Sequence, residues 1–218
     1  MAAARGSLHL FGRAPLAGRV KTRLIPLLGP EGAAAAQGVM VKRACALAQG
    51  WCRSRGVDFY LWCDPSHTEP FFATLLPEAQ RRSQPPLDLG ARMLAAVREG
   101  LERGAWAMLL GTDAVSVDQG LLDRAASALR ENEAVLAPAE DGGYVLLGLR
   151  RVVPELFEQM PWGTDRVAAL TRQQLEGQGL PWLELPRQWD VDTPEDWLRF
   201  CRTWPEAVAG MGNHDSRR

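Results

Sequence analysis

Short apolar runs alternate with segments of helical period along the whole chain, the pattern of βαβ units feeding a largely parallel sheet. Leu8 to Gly12 reads as the first strand and empties into a loop rich in glycine, proline and cations, Arg13 to Pro30. The alanine-rich stretch Glu31 to Gln49 predicts a helix, and Val57 to Cys63 a second strand. A short helix is expected over Thr68 to Leu76. Asp88 then stands as the N-cap of a helix that carries Leu89, Met93, Ala96, Val97 and Leu101 on one face and closes at Gly104. Trp106 to Leu110 is a continuous apolar run, expected as a central strand buried on both faces, and it ends at the polar triplet Gly111-Thr112-Asp113. After a helix from Asp118 to Arg130, Ala134 to Ala137 and Tyr144 to Leu149 predict two strands flanking a turn at Glu140-Asp141-Gly142-Gly143. Thr164 or Asp165 caps a helix reaching about Glu176, and Trp182 to Leu185 predicts another strand. The last unit is an extended Asp190-Val191-Asp192 followed by a helix with Thr193 as N-cap, Pro194 at its first position and Glu195 and Asp196 in its first turn.

The chain has 218 residues, enough for one domain with a substantial core, and no composition shift or linker divides it. Residues 1–208 are therefore expected as a single domain, with residues 209–218 as a mobile tail. The net charge of -1 gives no broad electrostatic footprint for nucleic acid. Locally the charge is uneven: Arg5, Arg13, Arg19, Lys21 and Arg23 precede Glu31 with no carboxylate among them, so the N-terminal segment is suited to anions. Cys45, Cys52, Cys63 and Cys201 form no C-x-x-C pair, and His9, His67 and His214 are too scattered for a zinc site. Four cysteines in a chain this long suit reduced thiols in the cytosol rather than a disulfide framework. No uninterrupted apolar run approaches the roughly 20 residues that span a bilayer, so no membrane partner and a cytoplasmic location are expected.

Five segments carry candidate chemistry. The first is Gly18-Arg19-Val20-Lys21-Thr22-Arg23, in the loop after the first strand, where open α/β sheets bind their ligands. Gly12 and Gly18 allow backbone N–H groups to approach a diphosphate. In an extended loop Arg19, Lys21 and Arg23 would project to one side and neutralise it; a plain solvated basic loop explains the spacing equally well. The second is Asp113, at the end of a buried strand, suited to Mg2+ or Mn2+ or to an ordinary turn cap. The third is Asp190-Val191-Asp192, where extended backbone turns both carboxylates one way and Trp189 and Val191 into the core. Two such carboxylates call for a cation. The fourth is Asp141-Gly142-Gly143-Tyr144: Asp141 is placed to orient an acceptor hydroxyl or act as a base, although a hairpin turn also accounts for Asp-Gly-Gly. The fifth is Gln84 to Met93, whose helix N-terminus at Asp88, with Arg92, faces a phosphate or a base unless Asp88 is simply a cap. Trp162 and Trp189 precede candidate site residues and are placed either to stack on a sugar or base or, more commonly, to fill the core.

In this order, A-P-L-A-G-R-V-K-T-R-L (Ala14 to Leu24), D-L-G-A-R-M (Asp88 to Met93), G-T-D (Gly111 to Asp113), P-A-E-D-G-G-Y (Pro138 to Tyr144), P-W-G-T-D-R-V (Pro161 to Val167) and D-V-D-T-P-E-D (Asp190 to Asp196) resemble the transferases associated with radical-SAM and selenodomain neighbourhoods, including arsenosugar-biosynthesis-type glycosyltransferases. The resemblance covers about Leu8 to Phe200. It implies a GT-A, or nucleotide-diphospho-sugar transferase, fold: a three-layer α/β/α arrangement around a mostly parallel sheet, similar also to molybdenum-cofactor and 2-phospholactate nucleotidyltransferases. It implies that Arg19, Lys21 and Arg23 hold donor phosphates, that Asp113 with Asp190 or Asp192 holds the metal, and that Asp141 and Tyr144 lie beside the acceptor. The chain departs from the family at Ala114-Val115, where a Pro-containing turn is usual; without it the loop aiming Asp113 is expected to be looser.

The expectation is a Mg2+- or Mn2+-dependent glycosyltransferase acting on a nucleotide-sugar donor and a small-molecule acceptor. Lys21, Arg23, Asp113 and Asp141 carry the chemistry; Gly12, Gly18, Arg19, Thr22, Asp88 and Arg92 surround the nucleotide; Gly142, Gly143, Tyr144 and Trp162 face the acceptor; Asp113, Asp190 and Asp192 bind the metal. Two alternatives stand beside it: a nucleotidyltransferase releasing pyrophosphate, and a nucleotide-binding protein without turnover.

Overall fold

The computed structural model describes residues 5–209 and 211, so most of the expected tail lies outside the described residues. In chain order the elements are β1 (Ser7–Arg13), α1 (Ile25–Arg55), β2 (Asp58–Asp64), α2 (Pro70–Ala73), β3 (Arg81–Ser83), α3 (Leu89–Arg103), β4 (Ala107–Gly111), α4 (Gln119–Ala128), β5 (Ala134–Pro138), β6 (Tyr144–Leu149), α5 (Val167–Gly177), β7 (Trp182–Glu184), α6 (Pro194–Thr203) and α7 (Pro205–Val208). The strands form one open sheet of seven in the order β3-β2-β1-β4-β6-β5-β7. Every pairing is parallel except those of β6, which runs against both β4 and β5. The fold class expected from the alternation is thus observed.

Alternation within each central strand builds two cores, one on each face. Leu8 and Leu10 of β1, Met108 and Leu110 of β4 and Val135 of β5 pack with Val41, Cys45 and Trp51 of α1 and Leu121 and Leu122 of α4. On the other face Leu109, Leu136 and Leu147 meet Met93, Ala96 and Val97 of α3 and Leu175 of α5. Burial on both faces is why Trp106 to Leu110 is apolar throughout. A third cluster joins Leu24, Ala36, Met40, Val115, Trp189, Val191, Trp197 and Phe200, and it fastens α6 to the start of α1.

Several sequence expectations shift. The basic loop is shorter than Arg13 to Pro30, because a 3-10 turn at Thr22–Leu24 runs directly into α1, which bends where Gly29 takes a left-handed backbone (φ 69°) ahead of Pro30. The helix also continues to Arg55 and ends on Gly56 in the left-handed conformation. Counted with its entering turn, Thr22–Arg55 is long and apolar enough to cross a membrane by length and composition, which Pro26, Gly29 and Pro30 conceal in the sequence; in the fold its apolar face fills the first core. On α3 the buried face is Gly90, Met93, Leu94, Ala96, Val97 and Gly100, while Leu89 stands 43% exposed. Strand β3, three residues at the sheet edge, gave no signal because Arg81 and Arg82 read as polar loop.

Two polar residues of β1, Ser7 and His9, sit deep in the sheet. His9 is fully buried; its Nδ1 accepts from the Trp62 indole at 3.0 Å, so the proton lies on Nε2, which donates to Ser7 Oγ at 2.9 Å. Burial, reinforced by Arg82 and Arg103, lowers its pKa to about 3, and the ring stays neutral.

Candidate active site

The carboxyl ends of β1, β2 and β4 lie at one edge, held in register by Phe11 against Gly111 and Gly12 against Cys63. A cleft of ≈ 580 Å³ opens there. Gly12, Arg13, Lys21, Thr22, Arg23, Asp88, Arg92, Asp113, Tyr144 and Asp192 line it, with Gln84, Leu87 and Leu89. At Gly12 a Cβ would lie 3.2 Å from Thr112 Cγ2.

Asp113 follows β4 by two residues. Gly111, Thr112 and Asp113 all border the cleft, but Thr112 is 4% exposed and its N–H donates to the Phe11 carbonyl, which leaves Asp113 as the one ionisable group of the triplet. The strand-like segment from Trp189 to Asp192 runs alongside: the Val191 N–H donates to the Asp113 carbonyl at 3.2 Å, and Ser116 clamps Trp189 by accepting from its N–H at 2.9 Å and donating to its carbonyl at 2.8 Å. Val191 is fully buried, which turns Asp190 and Asp192 the other way, as the alternation predicts. Thr193 and Asp196 then form a reciprocal capping box that fixes where α6 begins. Asp113, Asp190 and Asp192 each present a carboxylate oxygen, all within 4.8 Å of one another.

The loop at Ala114-Val115, expected to be looser, is therefore not slack. Ala114 and Val115 are buried, and the Ser116 clamp and the Val115 N–H bond to the Asp113 carbonyl (2.8 Å) supply the restraint expected of a proline.

Lys21 joins this acidic set. Its ammonium donates to Asp113 Oδ2 (2.8 Å), Asp192 Oδ1 (2.8 Å) and the Val191 carbonyl (2.6 Å), and its side chain is 8% exposed. Arg23 lies 3.7 Å from Asp192 Oδ2 and is largely exposed. Burial works against the charges on both Lys21 and Asp113, but their mutual attraction wins: the Lys21 pKa is raised and the Asp113 pKa lowered. Asp190 is different. Among the described residues no side-chain hydrogen bond or ion pair reaches it, and burial together with Asp113, Asp141 and Asp192 pushes its pKa up to about 7.

The expectation that Arg19, Lys21 and Arg23 project together is corrected. The loop is coiled rather than extended: Lys21 has a left-handed backbone (φ 44°) and turns inward, while Arg19 is exposed and neither it nor Gly18 lines the cleft. Asp88 lines the cleft, but its carboxylate accepts from the Ala91 N–H at 2.9 Å and caps α3. Arg92 is held by the Leu87 carbonyl and Gln84 Oε1. Asp141 accepts from the Gly143 N–H at 2.8 Å inside the hairpin turn. Gly142 (φ 89°) is needed for protein packing rather than ligand approach, since a Cβ there would sit 2.1 Å from the Asp165 carbonyl oxygen. Asp141, Gly142, Gly143 and Trp162 do not line the cleft; Trp162 stands edge-on to Tyr144, which does. Trp189 is core, stacked on Trp204. The reading of the basic loop did not single out Arg13, the last residue of β1, which pairs with Asp64 at 3.1 Å; Gln84, at the head of the fifth candidate segment, donates its side-chain amide to the Trp62 carbonyl.

The profile of a bacterial family, described as an uncharacterized protein conserved in bacteria (DUF2064), matches residues 48–164, more than half of the chain. The chain belongs to the DUF2064 family. This DUF2064 protein is similar to a structure from Desulfovibrio desulfuricans G20 described as a candidate nucleotide-diphospho-sugar transferase, with a TM-score of 0.77 and 29% identity over 97% of this chain and 90% of that one. It shares its fold with CMP:2-keto-3-deoxy-manno-octonic acid synthetase solved with CTP (TM-score 0.58, 13% identity, 93% and 99% of the two chains). The same holds for 4-diphosphocytidyl-2C-methyl-D-erythritol synthase from Anaerococcus prevotii DSM 20548 (TM-score 0.56, 12% identity, 92% and 99%). Among curated proteins no sequence match is found.

Proposed function

We propose that this DUF2064 protein is a Mg2+- or Mn2+-dependent glycosyltransferase that takes a nucleotide-activated sugar and a small-molecule acceptor. The observation that carries the reading is the meeting of Asp113, Asp190 and Asp192 with Lys21 and Arg23 at one end of a cleft beyond the strand ends. Three carboxylates are a hard oxygen donor set of the kind Mg2+ and Mn2+ take, and Asp190, which forms no ion pair among the described residues, fits the role of ligand. When bound, the ion would be held by these three residues and would offset the charge of the donor diphosphate.

The protein's own groups would do the rest by position and charge. Arg23 and Lys21 lie where donor phosphates would meet the ion. Gly12 and Thr22 form the cleft wall, Arg92 supplies a fixed guanidinium, and the exposed Leu87 and Leu89 offer an apolar lip for a base. Tyr144 projects its hydroxyl near Met93 Sδ (3.7 Å), with no stronger partner among the described residues, which suits it to an acceptor. Asp141, beside Asp190 and only lightly engaged, is the candidate to orient an acceptor hydroxyl. The finer assignment to the radical-SAM-associated, arsenosugar-type transferases rests on the six motifs, and a reducing cytoplasmic setting suits the four free cysteines.

A second reading, nucleotidyl transfer from a nucleoside triphosphate, is favoured by the crowding of Lys21 and Arg23 around the carboxylate set, where they would stabilise charge at an attacked phosphorus. Binding without turnover loses its motive, because Ala114-Val115 leaves Asp113 firmly held. The test is product analysis with nucleotide sugars and nucleoside triphosphates against a panel of hydroxyl and phosphorylated acceptors in Mn2+. Nucleoside diphosphate from a nucleotide sugar is expected; pyrophosphate from a triphosphate would select the second reading, and no turnover with any pair would overturn both.

A further inference from the structure

Lys21 is bound more fully than a lysine waiting for a phosphate would be. An ammonium has three N–H bonds, and here all three are used, on Asp113 Oδ2, Asp192 Oδ1 and the Val191 carbonyl. In this arrangement no proton of Lys21 is left for a donor phosphate. The same two carboxylates, with Asp190, form the set whose oxygens lie within 4.8 Å. Lysine and divalent ion thus draw on shared ligands, and a second cation brought within a few ångströms of the ammonium repels it.

We propose that Lys21 is a resident, exchangeable cation of the metal site. In the free protein it holds Asp113 and Asp192 together; when a divalent ion binds, it leaves at least one of them and its ammonium turns to the cleft, where donor phosphates would be met. The inference rests on reading the three aspartates as the metal site. Two features favour exchange over a permanent structural bridge. Asp190 supplies a ligand that Lys21 does not occupy, so an ion has a foothold before the lysine moves. Lys21 also sits in a left-handed backbone conformation (φ 44°, ψ 45°) at the head of a 3-10 turn, a strained position that the three contacts help to maintain. The consequence is an order of binding in which the metal frees the phosphate-gripping cation, so metal and donor bind with positive cooperativity.

The sequence makes the test clean, because the chain has two lysines, Lys21 and the exposed Lys42 of α1. Trace acetylation of the full-length protein, read residue by residue by mass spectrometry, is run with and without saturating Mg2+, while Mn2+ binding to the same preparation is measured by electron paramagnetic resonance. Lys21 should be protected without metal and become several-fold more reactive with Mg2+, with Lys42 unchanged. If Mn2+ binds and Lys21 stays protected in Mg2+, the exchange is overturned and the metal site stands. If no Mn2+ binds, the metal site fails and the exchange with it. As a second measurement, Lys21→Met should bind Mn2+ about tenfold more tightly; unchanged or weaker binding overturns the exchange, and should that variant not fold, the labelling of the parent chain decides alone.

Discussion

Lys21 and Asp113 stand 92 positions apart in the chain and 2.8 Å apart in space. The contact exists because β1 and β4 are parallel neighbours whose following loops emerge at one edge, and because Leu24, three residues beyond Lys21, is anchored in the cluster that holds Val191. Deep in the cleft wall, charge pairing rather than reach determines what Lys21 does.

The acidic set is short of positive charge, and Asp190 bears the excess. Asp190→Asn removes that repulsion. In EDTA at pH 8 the variant is expected to melt roughly 2–4 °C above the parent, about 1 kcal/mol for a chain of this size. It should lose the stabilisation that Mn2+ gives the parent; scanning calorimetry with and without Mn2+ measures both.

The Ser116 clamp has a checkable cost. Ser116→Ala leaves the Trp189 N–H and carbonyl without their partner at a part-buried position, which should destabilise by about 1–3 kcal/mol in a denaturant titration. Because the clamp ties the Asp113 loop to the Asp190 segment, Mn2+ affinity should fall as well. Loss of stability with metal affinity intact would separate the clamp from the site.

Gly142→Ala meets both a left-handed backbone and the Asp165 carbonyl oxygen 2.1 Å from the new Cβ. A loss of at least about 2 kcal/mol is expected from the strain and the forced separation of hairpin from α5, read as a lower urea midpoint with an unchanged slope.

His9 gives the fold an acid sensitivity. Its folded pKa of about 3 lies below the 6.5 of an exposed histidine, so its contribution is complete above pH 6.5 and drains as pH falls from there towards 3. The expected slope is about 1.4 kcal/mol per pH unit within that window. Urea midpoints at pH 7 and pH 5 should show a larger acid loss in the parent than in His9→Gln; equal losses would place the sensitivity elsewhere.

The fold was legible because apolar runs and helix caps are local signals: Asp88 and Thr193 each cap the helix expected of them, although α5 starts at Val167 after Arg166 with no side-chain cap, not at Thr164 or Asp165. Strand β3 was not, since an edge strand of three residues with two arginines has no apolar run to betray it. The carboxylates of the site were legible from period-two alternation about Val191 and from the end of the buried β4 run. The aim of the basic loop was not. Whether Arg19, Lys21 and Arg23 share a side depends on one left-handed residue, Lys21, whose side chain meets partners 92 and 171 positions away. Likewise Gly142 was read as room for a ligand when the neighbour that needs the room is Asp165.

The central claim is that Asp113, Asp190 and Asp192 form one divalent-metal site at the cleft. Titration calorimetry with Mn2+ tests it most directly: the account predicts saturable binding of one ion by the parent chain and its loss in both Asp113→Asn and Asp190→Asn. Absence of binding in the parent, or binding that both variants retain at full affinity, would contradict it.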